Sequence, residues 1–180
     1  MTSRRAVGRI VFATQLAAFC EVDLKTIHNW ANRGKIPCWR TPGRHLRFRR
    51  LDVVDFLRTY GFTLPEALRG ARPDVVVIDE DSETLAWTRR ALSRHFELVT
   101  FDSVVEGLLA LATSNPEVLV LGNVSPLEAS AIVARMGASP ATKDVRVVTL
   151  GVQAKGAAAW ASTSDVAGLR DAMERVTGVE

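Results

Sequence analysis

VDLKTIHNWANRGKIPCWRTPGRHLRFRRLDVVDFL, residues 22–57, is the stretch on which the reading of this chain turns. Asp23 is a good helix N-cap, because its carboxylate can accept the free amide hydrogens of a first turn. Behind it Leu24, Ile27 and Ala31 recur at helical spacing and are expected to pack inward, with Trp30 at their flank. Lys25, Thr26, Asn29, Asn32 and Arg33 are then left outside, and Gly34 follows as a helix stop that tolerates positive φ. Upstream, Leu16, Ala17 and Phe19 fit the inner face of a short first helix, with Glu21 and Val22 as a tight turn. Downstream, 38–40 and 45–48 can pair as two strands around Pro42-Gly43. Trp39, Leu46 and Phe48 are the expected apolar anchors of that hairpin. A third helix over 51–59 brings Val53, Val54, Phe56 and Leu57 to the core, with Asp52 and Asp55 near its start, where they suit the helix dipole.

The outward set has a consistent chemistry. Asn29 is of the type that bonds adenine bidentately and Arg33 of the type that bonds guanine, while Lys25 and Thr26 can hold phosphates. Arg40, Arg44, His45 and Arg47 crowd the hairpin, where their mutual repulsion costs stability. A polyanion would relieve that repulsion. Residues 1–50 carry eleven basic side chains against Glu21 and Asp23, a net +9, whereas residues 73–180 carry a net −6. Two modules with different partners are implied. An ordinary solvated amphipathic helix, and chance clustering of charge, stay open as alternatives for the helix and the asymmetry.

The same run resembles the winged helix-turn-helix of the MerR superfamily, most closely its short excisionase-like and BldC-type members. The resemblance lies in the KT of the second helix, the W-A-x-x-G-K that ends it, and the R-T-x-G-x-H/R-x-R-F/Y hairpin followed by a short helix. It covers about a quarter of the chain by motif matching. It implies that Lys25, Thr26 and Asn29 meet the major groove of double-stranded DNA, and that Arg44, His45 and Arg47 meet the minor groove or phosphates. One departure matters: Gly61 and Pro65 interrupt the chain where larger MerR regulators continue into a long dimerising helix.

Beyond Gly70, apolar strand-like runs at 75–78, 98–101, 118–121 and 145–150 alternate with helix-like stretches at 82–95, 103–113 and 126–136, and a last helix is expected at about 165–176. This alternation implies parallel βαβ units. The order resembles the receiver domain of bacterial response regulators, with a flavodoxin-like, doubly wound sheet. VVVIDED supplies an acidic pair, Asp79 and Glu80, but the position of the phosphorylated aspartate is held by Gly122. Thr149 falls two residues before the expected Ser/Thr position, and Thr163 and Ser164 stand where a receiver has Lys and Pro. Glycine cannot be a nucleophile, and two carboxylates alone hold Mg²⁺ weakly. The resemblance therefore implies a pseudo-receiver that does not switch by phosphorylation, with Asp79 and Glu80 a vestige. The plainer reading is a solvated strand end with Asp81 or Ser82 capping the next helix. Only VQAK separates Gly151 from Gly156, too little for the receiver's fourth helix. Its loss is expected to expose strand edge beside Trp160 for a homodimer or another protein, while Trp87 reads as core.

The expected architecture is thus α/β with two domains: a winged helix-turn-helix over 1–60, a linker over 61–72 with a short helix near 65–68, and a pseudo-receiver over 73–180. Neither a signal peptide nor an apolar run long enough to span a bilayer is visible, so a cytoplasmic, nucleoid-associated bacterial protein is expected. Cys20 and Cys38 lack CxxC or zinc spacing and read as reduced, semi-buried thiols, with a disulfide as the alternative. His28, His45 and His95 lack catalytic company, so no enzyme, metal or cofactor is expected. The leading function is sequence-specific transcriptional regulation. The alternatives are an architectural, DNA-bending protein and an adaptor whose helix-turn-helix binds protein.

Overall fold

The computed structural model describes residues 8–179, which form two compact units, one of residues up to Ala71 together with 177–179 and one from Arg72 to Val176.

In the first unit β1 (Ile10–Phe12) leads directly into α1 (Ala13–Phe19), followed by α2 (Leu24–Asn32). Strands β2 (Trp39–Arg40) and β3 (Leu46–Arg49) form a hairpin, and α3 (Arg50–Thr59) and the single turn α4 (Glu66–Arg69) complete the unit. The small sheet has the order β1-β3-β2 and is antiparallel, with Val11 opposite Phe48 and Trp39 opposite Arg47. Strand β1 was not anticipated: three residues are too few for a period-2 pattern to declare itself. Val11, Leu16, Ile27, Ile36, Phe48, Val53 and Leu57 form the core. Asp23 caps α2 as expected, its carboxylate accepting the Thr26 amide at 2.6 Å. Glu21 turns the chain at φ 54°, and Gly34 ends α2 at φ +67°.

The expected linker is not a free connection. Leu68 and Ala71 are buried, and Phe62 and Leu64 pack against the core of the first unit. Leu68 and Ala71 sit in a Pro/Gly-rich stretch whose composition resembles a linker, but an apolar side chain at the right place outweighs composition. The final residues 177–179 also cluster with this unit, and Val179 is buried.

The second unit is a parallel five-stranded sheet of order β5-β4-β6-β7-β8. Its strands are β4 (Asp74–Ile78), β5 (Glu97–Phe101), β6 (Val118–Leu121), β7 (Arg146–Leu150) and β8 (Ala159–Ala161). Helices α5 (Ser82–Leu92), α6 (Val104–Ser114), α7 (Pro126–Ala138) and α8 (Val166–Thr177) supply the crossovers and the last element. Strands β4 and β6 are buried almost throughout, which is why their sequences read as continuous valine and leucine runs rather than alternating ones. Asp81, Ser103 and Ser125 cap α5, α6 and α7. Strand β8 escaped the apolar-run reading because GAAAWASTS has little apolar bulk. No helix stands between Gly151 and Gly156.

Candidate nucleic-acid interface

Part of the first unit's positive charge lies along α2 and the hairpin, while Arg9, Lys35, Arg50, Arg58 and Arg69 stand on other segments. Lys25 and Asn29 are exposed on α2, Arg33 is exposed at its C-cap, Thr26 is half-buried, and Arg40, Arg44 and His45 are exposed on the hairpin, with Arg47 half-buried. The two elements are tied by Arg40. Its Nη2 donates to Asn32 Oδ1 at 2.9 Å, and its Nη1 donates to the Arg44 carbonyl at 3.2 Å. Arg40, read as a DNA contact, is therefore also an internal bracket that fixes the hairpin tip relative to α2.

The tip is built by local hydrogen bonds. The Arg44 amide donates to the Thr41 carbonyl at 2.7 Å and the Thr41 amide to the His45 carbonyl at 3.0 Å. The His45 amide adds a bond to Thr41 Oγ1 at 3.3 Å. Arg44 pays for this closure with φ 63°, a left-handed backbone that glycine or asparagine normally supplies.

Arg47 lies with its guanidinium 4.5 Å from the Phe12 ring centre while Nη1 donates to the Leu46 carbonyl at 2.9 Å. Its charge is thus held in a fixed place at the hairpin base, and Phe12 is a supporting residue that sequence reading missed. Arg49 lies over Trp39 in the same way, at 5.5 Å. Trp39 was expected as a core anchor, but it is 37% exposed; in a two-residue strand its side chain falls on the outer face with Arg49. Leu46 and Phe48 do anchor the hairpin, both buried.

Leu24 also departs from expectation. It is the first residue of α2 and stands 43% exposed, whereas Ile27 and Ala31 are buried. The inward stripe runs through Ile27 and Ala31, and position 24 lies at its edge. Leu24 instead lines a groove of about 300 Å³ with Phe12, Ala13, Thr14, His28, Arg44, His45, Leu46 and Arg47. Cys20 is buried and Cys38 exposed, rather than both semi-buried, and both are free thiols. Burial pushes the Cys20 thiol up to about 11, so it is neutral and unreactive near pH 7.

In the second unit Gly122 lies against the Asp79 side chain. Asp79 is 2% exposed, not solvated as the plainer reading had it. Burial raises its carboxyl above the ordinary range, against the opposing effect of the Asp81 amide that donates to Oδ1 at 2.8 Å. A Cβ added to Gly122 would overlap Asp79 Oδ2. Glu80 is exposed. Asp81 is taken up by the α5 cap, accepting from the Glu83 and Thr84 amides and from Thr84 Oγ1. Thr149 is fully buried and donates from Oγ1 to the Val152 carbonyl at 2.6 Å. Among the described residues no group of three or more His, Cys, Asp or Glu is placed to hold a metal ion, and no helix is long and apolar enough to cross a membrane.

A family model described as a helix-turn-helix domain matches residues 13–60. The sheet order and helices of the second unit match solved receiver structures. The response regulator from Thermotoga maritima superposes with a TM-score of 0.53 at 17% identity, over 60% of this chain and 99% of that one. Chemotaxis protein CheY4 of Vibrio cholerae gives 0.51 at 16% identity, over 59% and 99%. At these identities the likeness is one of fold. A helix-turn-helix unit precedes a receiver-like one. Among curated proteins, the transcriptional repressor DcmR of Methylorubrum extorquens (strain DSM 6343 / CIP 106787 / DM4) is 32% identical over 75 residues, 41% of this chain and 28% of the repressor. The match therefore spans less than a third of that relative's length.

Proposed function

We propose that this protein is a sequence-specific, DNA-binding transcriptional regulator of the excisionase/BldC-like MerR type, acting in the cytoplasm on the nucleoid. The observation that carries the reading is the Arg40 bracket, which holds the hairpin cations and the exposed face of α2 in one fixed arrangement. In this reading Lys25, Thr26, Asn29 and Arg33 enter the major groove, and Arg40, Arg44, His45 and Arg47 line the adjoining backbone. The match of residues 13–60 to a helix-turn-helix model and the likeness to a transcriptional repressor support it.

The receiver-like unit, in the same proposal, takes no phosphoryl group and acts in self-association or partner docking. Gly122 offers no nucleophile, Asp79 occupies the space above it, and Thr163 and Ser164 replace the receiver's Lys and Pro. Support for docking comes from the edge strand β8, where Trp160 is 44% exposed beside an open groove of about 400 Å³ lined by residues 153–155 and 157–160. A dimer would raise the affinity of a small DNA-binding module through effective concentration.

Selection of bound duplexes from a random pool, followed by a salt titration on the winner, tests the first part. Tight binding whose logarithm falls linearly with log salt is expected. Equal binding to every duplex, or none at low salt, overturns it. Sedimentation equilibrium of the wild type and Trp160→Ala, with and without acetyl phosphate, tests the second.

A further inference from the structure

Leu24 and Phe12 are 43% and 45% exposed, and both line the groove between the start of α2 and the hairpin. Single exposed leucines are common on proteins and call for no explanation. These two differ in their setting: Arg44, His45, Arg47 and His28 line the same hollow. Apolar side chains gain nothing from water there, and a cationic rim repels most protein surfaces that could cover them except acidic ones. One ligand is at once polyanionic and dotted with small apolar groups at its surface. The major groove of DNA displays the 5-methyl group of each thymine a few ångströms from the phosphates, and apolar side chains are its usual readers.

The placement of Leu24 fits that role. It opens α2 immediately after the Asp23 cap, one residue before Lys25, so a helix entering the major groove by its first turns brings Leu24 to base-edge depth. His28 lies one turn later on the same side of α2 and forms the next wall of the groove. Phe12 is held by the Arg47 guanidinium at 4.5 Å, which fixes the opposite wall. We infer that Leu24, backed by Phe12 and His28, is a specificity-determining residue that receives the 5-methyl group of a thymine in the bound site. The inference rests on the proposed DNA-binding function and adds a base preference to it.

The test uses the full chain and the best duplex selected from a random pool, beside copies in which thymines are replaced one at a time by uracil. Uracil keeps every hydrogen-bonding group and lacks only the methyl. At one position wild-type affinity is expected to fall about fourfold, the effect of one buried methyl-sized group. Leu24→Ala, a change at an exposed side chain, is expected to bind the thymine and uracil copies of that position equally, and to lose affinity only for the thymine duplex. Unchanged wild-type binding to every uracil copy overturns the inference while leaving DNA binding intact. So does a thymine preference that Leu24→Ala retains in full. Failure to bind any duplex at low salt overturns the DNA-binding reading, and this inference with it.

Discussion

The Arg40 guanidinium donates to Asn32 Oδ1 at 2.9 Å, joining the hairpin to the last residue of α2. Such a bond at an exposed site contributes little to stability but restricts where the hairpin can lie. Asn32→Ala removes no charge, yet it should weaken DNA binding about three- to tenfold by freeing the hairpin, an effect of about 1 kcal/mol. Arg40→Ala should cost more, since it also removes a cation. The double variant should be no weaker than Arg40→Ala, because both changes break the same link. Binding isotherms at fixed salt measure the cycle; additive losses would make Asn32 an independent DNA contact and dismiss the bracket.

Arg44 gives the second prediction. At φ 63° an arginine is strained where glycine would not be. Arg44→Gly should therefore stabilise the protein by about 0.5–1 kcal/mol while weakening binding several-fold and flattening the salt dependence by about one unit of slope. Arg47→Ala should flatten the slope by a similar amount without the gain in stability. Thermal melts and salt titrations on the same samples separate the two effects.

A third prediction concerns Gly122. Placing an aspartate there should not confer phosphorylation, because Thr163 and Ser164 stand where a receiver has Lys and Pro, and the new Cβ would also force the Asp79 carboxylate to move. Gly122→Asp should lower the Tm and show no phosphoprotein after incubation with acetyl phosphate and Mg²⁺. A label on the Gly122→Asp variant that survives acid but is released by alkali or hydroxylamine, at wild-type stability, would contradict this expectation.

Asp79 and Asp81 should pull stability in opposite directions as pH changes. Asp79 has a raised folded pKa, so the folded state holds its proton more tightly, and stability falls as pH rises from the unfolded to the folded value. Asp79→Asn keeps an acceptor for the Asp81 amide and should raise the Tm at pH 7 by about 2–4 °C, with the gain vanishing below about pH 4. Hydrogen bonds from Thr84 lower the Asp81 pKa, so its contribution is present above the unfolded pKa and is lost as pH falls through the folded one. Asp81→Ala should lower the Tm at pH 7 and matter progressively less in acid. Melts across the acid-to-neutral range distinguish the pair.

Local signals in the chain were enough for the helix-turn-helix, because Asp23, the Ile27 and Ala31 stripe, Gly34 and the Pro42-Gly43 turn each act within a few residues. They were also enough for the first four strands of the parallel sheet, of which β4 and β6 carry valine and leucine runs buried almost throughout, but not for β8. Tertiary structure alone decided that Leu24 and Trp39 face outward, that Asp79 is buried over Gly122, that residues 61–71 pack on the first unit, and that Arg40 spans to Asn32. Each of these depends on what a side chain meets from elsewhere in the chain. Periodicity records only which face a residue belongs to, and at the edge of an apolar stripe it leaves open whether a partner is there to cover it.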